Sequence, residues 1–481
     1  MRFALSIMRA LSALMISVSL LMFGNSITST LLALRANLEG YSNEMIGLIA
    51  SGYFLGFAIG TFRSGPLINR IGHIRTFAAL SAVASAAVMM VLITSNAWAW
   101  VFLRAVMGAA AAGLFVVVES WLNNRATNNS RGILLSMYIM IGYVASAFGQ
   151  QTIKFGDPGS YELFLLVGIV LTLSLVPVSL TRATHPDPVD KPLLSIKKLY
   201  AVSPTSVVTC LVAGLISSSW WGLGPVYASN IGLSVSQVSG FMTAGLIGGM
   251  LLQIPVGRLS DRLDRRLVIL GVTIALGAPS LVLVLGGLLP GWSLIGTVAL
   301  FFGLSSTLYP LSVAYANDYL ESGDIVAASG GFVLIYGVGA VIGPLASSYA
   351  MRLMGPQGMF VLIIAMAALL TLFILSRMRI RQWAAVVEKE PYVLSPETPM
   401  AVGDLDPRAE VDEGYDQGPD IVTPPDSETK EKSPFSFWLG RFAEDPDETP
   451  PDSELPSKDE PEAPSENDQI DTGKKAQRES D

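Results

Sequence analysis

Two ionisable residues interrupt a long apolar stretch at 97–121: Arg104 and Glu119. A charge at the centre of a bilayer costs roughly 2.5–3.5 kcal/mol on insertion scales, so charges that persist there usually carry function. On a helix, the fifteen residues between them span about 22 Å. Fifteen steps of 100° return to within about 60° of the start, so both lie on one face. A carboxylate so placed can take up and release a proton, and a guanidinium can hold an anion or bridge a gate. The structural alternative pairs Arg104 with a backbone carbonyl and Glu119 with a helix-end base such as Arg125.

A second set of groups is polar and uncharged. Asn25 and Ser29 lie one turn apart. Ser217, Trp221 and Gly224 share a helical face, with Trp220 beside them, and Ser305, Tyr309 and Ser312 share another. Amide, hydroxyl, indole and phenol together suit a neutral or weakly polar organic solute better than an inorganic ion. The structural alternative places the tryptophans in an interfacial belt and bonds the hydroxyls to their own helices. Other chemistries find no residues to carry them. Cys210 is the only cysteine, His73 and His185 are far apart, and no phosphate-cradling G-x-x-x-x-G-K-[ST] loop occurs. No metal, cofactor or enzymatic activity is expected. Nor is nucleic-acid binding, because the basic residues sit between apolar runs and the C-terminal tail is acidic.

These residues require spans to position them. The 481 residues are 51% apolar and only 15% charged, and the apolar residues fall in runs of bilayer length. Twelve spans are predicted at 11–34, 43–65, 74–93, 97–121, 132–153, 161–181, 205–228, 234–256, 267–289, 292–316, 325–351 and 357–376. Lipid leaves backbone groups no partner outside their own segment, so each must be a helix. With the N-terminus in the cytoplasm, inside connections hold 18 Lys and Arg and outside ones hold three, Arg35, Lys154 and Arg352. That bias predicts a bacterial inner-membrane protein with both termini cytoplasmic. The first apolar run is too long for a cleaved signal peptide and counts as a span.

Four regions follow: a six-helix half at 1–181, a cytoplasmic linker at 182–204, a second six-helix half at 205–381, and a tail at 382–481. The body carries 22 basic and 12 acidic residues; the tail carries 9 and 27, with 14 of the 28 prolines. Such a tail cannot bury a core and is expected to be disordered. An apolar island within it (Phe435, Phe437, Trp438, Leu439, Arg441, Phe442) is a candidate docking motif for a cytoplasmic partner, or a contact with the inner leaflet.

The two halves repeat. Gly65, Leu67, Asn69 and Arg70, in the connection between spans 2 and 3, recur as Gly257, Leu259, Asp261 and Arg262 between spans 8 and 9, 192 residues on. Ser42 and Ser234 keep that offset, and Gly149 and Gly343 stand 194 apart. Repeated halves with a site between them are the architecture of secondary transporters. The pattern G-x-L-x-[DN]-R-x-[GD], present twice, resembles the loop signature of the major facilitator superfamily. Arg104 with Gly108 and Gly113 resembles that family's span-4 motif. The stretches around Glu119, Gly149-Gln150 and Thr307-Leu-Tyr309-Pro310 are most similar to its bacterial YcaD-like branch.

The resemblance covers residues 8–380 and implies an all-α fold in which spans 1, 4, 7 and 10 line a cavity. Facing such a cavity, Glu119 reads as the proton-coupling carboxylate and Arg104 as a substrate or gating cation, and the resemblance implies that Gly65, Asn69, Arg70, Gly257, Asp261 and Arg262 form cytoplasmic gating loops. Two departures stand out. Asn69 replaces a carboxylate, which weakens the latch between halves, and Gly149-Gln150 replaces the Gly-Pro of drug/proton antiporters. Gly56, Gly60, Gly108, Gly113, Gly337, Gly339 and Gly343 are packing positions, and Pro255, Pro279, Pro310 and Pro344 are helix breaks or bends. The leading expectation is a secondary transporter of a small organic solute, with proton-coupled export favoured. The alternatives are a translocator of lipid or amphiphile with the same fold, or a membrane-embedded sensor or scaffold acting through the tail.

Overall fold

A computed structural model describes residues 2–125, 131–180, 195–320, 324–380 and Tyr392, all within one compact unit, Met1–Ile421. The acidic tail apart from Tyr392, the 435–442 segment, most of the linker and the side chain of Arg125 lie outside the described residues.

The first half contains α1 (Arg2–Leu38), α2 (Asn43–Ile71), α3 (His73–Met90), α4 (Ala97–Arg125), α5 (Arg131–Thr152) and α6 (Glu162–Leu173), which continues past Ser174 as the short α7 (Leu175–Ser179). A short linker helix, α8 (Ile196–Val202), precedes the second half. That half contains α9 (Pro204–Asn230), α10 (Val235–Arg262), α11 (Arg265–Val284), α12 (Gly291–Asn317), α13 (Ile325–Met354) and α14 (Gly358–Ile380). Twelve of these segments are long and apolar enough to cross a membrane. Their outer faces keep Leu55, Phe102, Leu281 and Trp292 exposed, as lipid contact requires. The chain is a multi-pass membrane protein.

The repeat has a local cause at the helix starts. Ser42 caps α2 by accepting the Met45 N–H, and Ser234 caps α10 in a reciprocal box with Gln237. Each hydroxyl satisfies a donor that the first helical turn leaves without a partner. Beyond the caps, equivalent glycines bring equivalent helices together. Gly56 of α2 faces the Ala105 carbonyl of α4, and Gly248 of α10 faces the Ala299 carbonyl of α12. Gly149 of α5 meets the Phe23 carbonyl of α1, and Gly343 of α13 meets the Leu215 carbonyl of α9. These partners keep the 192 and 194 offsets, so one packing scheme is built twice.

The two halves are joined at the face opposite the linker. There the Asn37 amide donates to the Ser229 hydroxyl at 3.4 Å and to Asn230 Oδ1 at 3.2 Å. Asn37 and Ser229 are themselves 192 apart, so equivalent positions meet each other across the pseudo-twofold axis. Glu44 pairs with Arg352 at 3.0 Å, and the Ser239 hydroxyl donates to the Gln150 carbonyl at 2.6 Å. Deeper in, the Gln253 amide donates to the Tyr143 hydroxyl at 2.8 Å.

The structure corrects two expectations. Gly65, Asn69 and Arg70 are not in a loop. They form the last turns of α2, and Gly257, Asp261 and Arg262 form those of α10. Helix α2 runs through Pro66, and the turn itself falls at Gly72, whose φ of 83° suits glycine. Likewise Pro255, Pro279, Pro310 and Pro344 all lie inside continuous helices and break none of them.

The glycine contacts make a direct prediction. Gly56→Leu or Gly248→Leu forces a side chain into a neighbouring backbone and should cost at least about 1–3 kcal/mol. Gly271→Leu, which meets open space, should be tolerated. Thermal melting and monodispersity of the purified protein in detergent check this ordering.

Candidate functional site

A cavity opens between α1, α2, α4 and α5, with Trp221 and Gly222 of α9 completing its wall. The site therefore belongs mainly to the first half, and the second half contributes one patch. Helix α9 comes this close because Gly222 lacks a side chain: a Cβ there would sit 2.6 Å from the Cβ of Ala50.

Among the described residues, Arg104 is the one charged residue on this wall. It is 6% exposed. Its Nη2 donates to the Ser29 hydroxyl at 2.8 Å, and Nη1 reaches the Met107 sulfur at 4.0 Å. The guanidinium lies over the Tyr53 ring, 4.3 Å from its centroid. Tyr53 is held in turn by its hydroxyl, which donates to Asn25 Oδ1 at 3.1 Å. Asn25, Tyr53, Arg104 and Ser29 thus form one connected group spread over α1, α2 and α4. Arg104 bonds a hydroxyl and an aromatic face, where the structural alternative expected a carbonyl.

Of the residues singled out in the sequence, Asn25, Ser29, Arg104 and Trp221 come together on this wall. Glu119 is buried further along α4, off the wall, but within electrostatic reach of Tyr138, which is on it. Ser217 is buried in α9 away from the cavity. Ser305 donates to the Phe302 carbonyl of its own helix, and Tyr309 packs edge-on against Tyr336 at 5.4 Å. Helix α12 contributes nothing to the wall. Trp220 is fully buried and stacks on Phe241 at 5.1 Å, and Trp221 packs edge-on against Phe302 at 5.8 Å. Neither is a belt residue. Sequence reasoning missed Tyr53, Phe54, Phe115, Tyr138 and Tyr143; their types are as common in cores as in sites, and no spacing marks them.

Among the described residues, the motif carboxylate bonds only within its own half and to Tyr392. Asp261 Oδ1 lies 3.4 Å from Arg265 of α11 and accepts the Tyr392 backbone N–H at 2.9 Å. Arg265 is fully buried and also pairs with Asp318 at 3.0 Å. The Tyr392 ring covers the bare face of Gly257, and burial beside Asp261 pushes its phenol up, so it stays neutral. Asn69, the equivalent position in the first half, is exposed.

The contact under Arg104 predicts an order of stabilities. Tyr53→Leu removes the ring face and should cost about 2 kcal/mol at this desolvated site. Tyr53→Phe keeps the face, loses only the Asn25 hydrogen bond, and should cost about 1 kcal/mol. Melting of the purified variants measures both.

A family model described as Major Facilitator Superfamily matches residues 14–227 and 205–401. Curated relatives named "Uncharacterized MFS-type transporter YcaD", from Escherichia coli O7:K1 (strain IAI39 / ExPEC) and Shigella flexneri, are 28% identical over 373 residues, covering 76% of this chain and 95% of theirs. Among solved structures, the nucleoside transporter NupG superposes with a TM-score of 0.65 at 12% identity, covering 79% of this chain and 100% of that one. A bacterial homolog to the human lysosomal transporter Spinster, inward-facing and occupied, gives 0.59 at 14% identity, covering 78% and 98%. At those identities the superpositions speak to the fold alone.

Proposed function

The chain belongs to the major facilitator superfamily, and from that premise we propose that it is a secondary transporter of a small organic solute, working by alternating access in a bacterial inner membrane. The observation that carries this is the cavity, a chamber lined by aromatic, hydroxyl and small apolar residues with one buried cation, walled by one half and completed by the other. The excess of Lys and Arg at the linker face supports a cytoplasmic assignment for that face. In that orientation the contacts of Asn37, Glu44 and Gln150 with the second half seal the cavity from the outside. Transport then requires this seal to open while the linker side closes.

Proton coupling through Glu119 is the second part of the proposal. A buried carboxylate within reach of a phenol on the cavity wall can feel what the cavity holds. The solute and the proton would then meet through Tyr138, without Glu119 touching the solute.

Two measurements test this. A Cβ at Gly142 meets only Met22, at 3.7 Å, so Gly142→Trp should fold and fill the chamber. In null cells expressing wild type or this variant, profiling of small molecules inside and outside should reveal a solute displaced by wild type and not by the variant. Equal profiles would sink the transporter proposal. For coupling, dissipating the proton gradient should collapse the wild-type solute gradient, whereas Glu119→Gln should equilibrate the solute without accumulating it. A wild-type solute gradient that survives unchanged would remove the proton from the mechanism.

A further inference from the structure

We propose that the solute is an amphipathic organic acid carrying a single carboxylate, and that Arg104 is its counter-ion. This rests on the transporter reading above and assigns the substrate class of that same cavity.

The first observation is an uncompensated charge. Among the described residues, no carboxylate lies within ion-pair distance of Arg104. Its neighbours are the Ser29 hydroxyl, the Met107 sulfur and the Tyr53 ring. A guanidinium offers five N–H donors, and those contacts leave most of them unused. Removing a cation from water without a partner charge is costly, and one ring face offsets only part of that cost. A second donor on the same wall is also unmatched: the buried indole N–H of Trp221 has no acceptor among the described residues. The wall thus presents two buried donor groups whose hydrogen bonds are not all made, the complement of an anion.

The second observation is that the architecture does not need this charge. Ala105 and Ala299 occupy equivalent places against Gly56 and Gly248. The residue before each is therefore equivalent as well. In the first half it is Arg104, and in the second it is Val298, fully buried. The same helix packing forms around valine. Arg104 is a departure from the repeat, and it lies where the repeat meets the cavity.

The third observation sets the number of charges and the nature of the remainder. Arg104 is alone among the wall residues in carrying a charge. A phosphate monoester bears roughly −2 near neutral pH and would bring an uncompensated negative charge into a buried chamber. A carboxylate brings one, in a planar shape that a guanidinium binds through two parallel hydrogen bonds. Phe54, Phe115, Tyr143 and Trp221 supply the rest of the surface, which suits an apolar or aromatic body.

The test uses the full chain in null cells, with profiling of pools displaced by wild type relative to Gly142→Trp. The displaced solute should be a monoanion at pH 7. Arg104→Gln should fail to move it at equal expression, and Arg104→Lys, which keeps the charge, should retain part of the flux. For purified wild type, that solute should raise the melting temperature while its carboxamide does not. Arg104→Gln should bind the acid about tenfold more weakly or worse. A displaced solute that is neutral, cationic or dianionic overturns the proposal while leaving transport intact. So does Arg104→Gln transport at the wild-type rate, or equal stabilisation by the carboxamide. If both Arg104 variants fail to fold, the charge of the displaced solute and the carboxamide comparison still decide it. No displaced pool at all removes the transporter reading, and this assignment falls with it.

Discussion

Lipid gives helices neither water to satisfy their backbones nor a hydrophobic drive to associate, since tails are as apolar as leucine. Close van der Waals contact must therefore do much of the holding. Contact that close needs one backbone to approach another with no side chain between. Gly56 on Ala105 and Gly248 on Ala299 meet this requirement in α2–α4 and α10–α12, and Gly149 and Gly343 meet it for α1–α5 and α9–α13. These approaches fix which helices are neighbours, and hence which faces are left to line a cavity. The caps at Ser42 and Ser234 start the equivalent helices at equivalent points.

Upon this symmetrical scaffold sits an asymmetrical site. The same packing that accepts Val298 in the second half accepts Arg104 in the first. The second half instead builds an aromatic cluster in which Trp220 packs with Phe241, Phe301 and Phe302. Trp221, one residue on, meets the edge of that cluster at Phe302 and joins the cavity wall. The repeat supplies the frame, and its departures supply the chemistry.

The motif at the ends of α2 and α10 shows a similar divergence. Asp261 is engaged within its own half, by Arg265 and by the Tyr392 backbone, while Asn69 is exposed. The Asp261 carboxylate thus organises the α10–α11 turn and holds the Tyr392 backbone. At the other face the halves are held to each other by contacts of Asn37, Glu44 and Gln150.

Periodicity and charge in the sequence were enough for twelve helices, for their approximate limits and for the two-fold repeat, because those depend on lipid as a solvent and on local capping. Arg104 was also legible, since a charge inside an apolar run is costly wherever the chain folds. The sequence did not distinguish the wall from the core. Tyr53, Tyr138 and Tyr143 line the cavity while Tyr309 packs against Tyr336, and nothing local separates these tyrosines. Ser305 and Ser217 looked as suitable as Ser29, but which hydroxyl meets the guanidinium depends on how α1 is rotated against α4. That rotation is decided by glycine contacts between segments more than a hundred residues apart, such as Gly149 on Phe23. Long-range packing of this kind has no signature in spacing, and so the membership of the site was left to the tertiary structure.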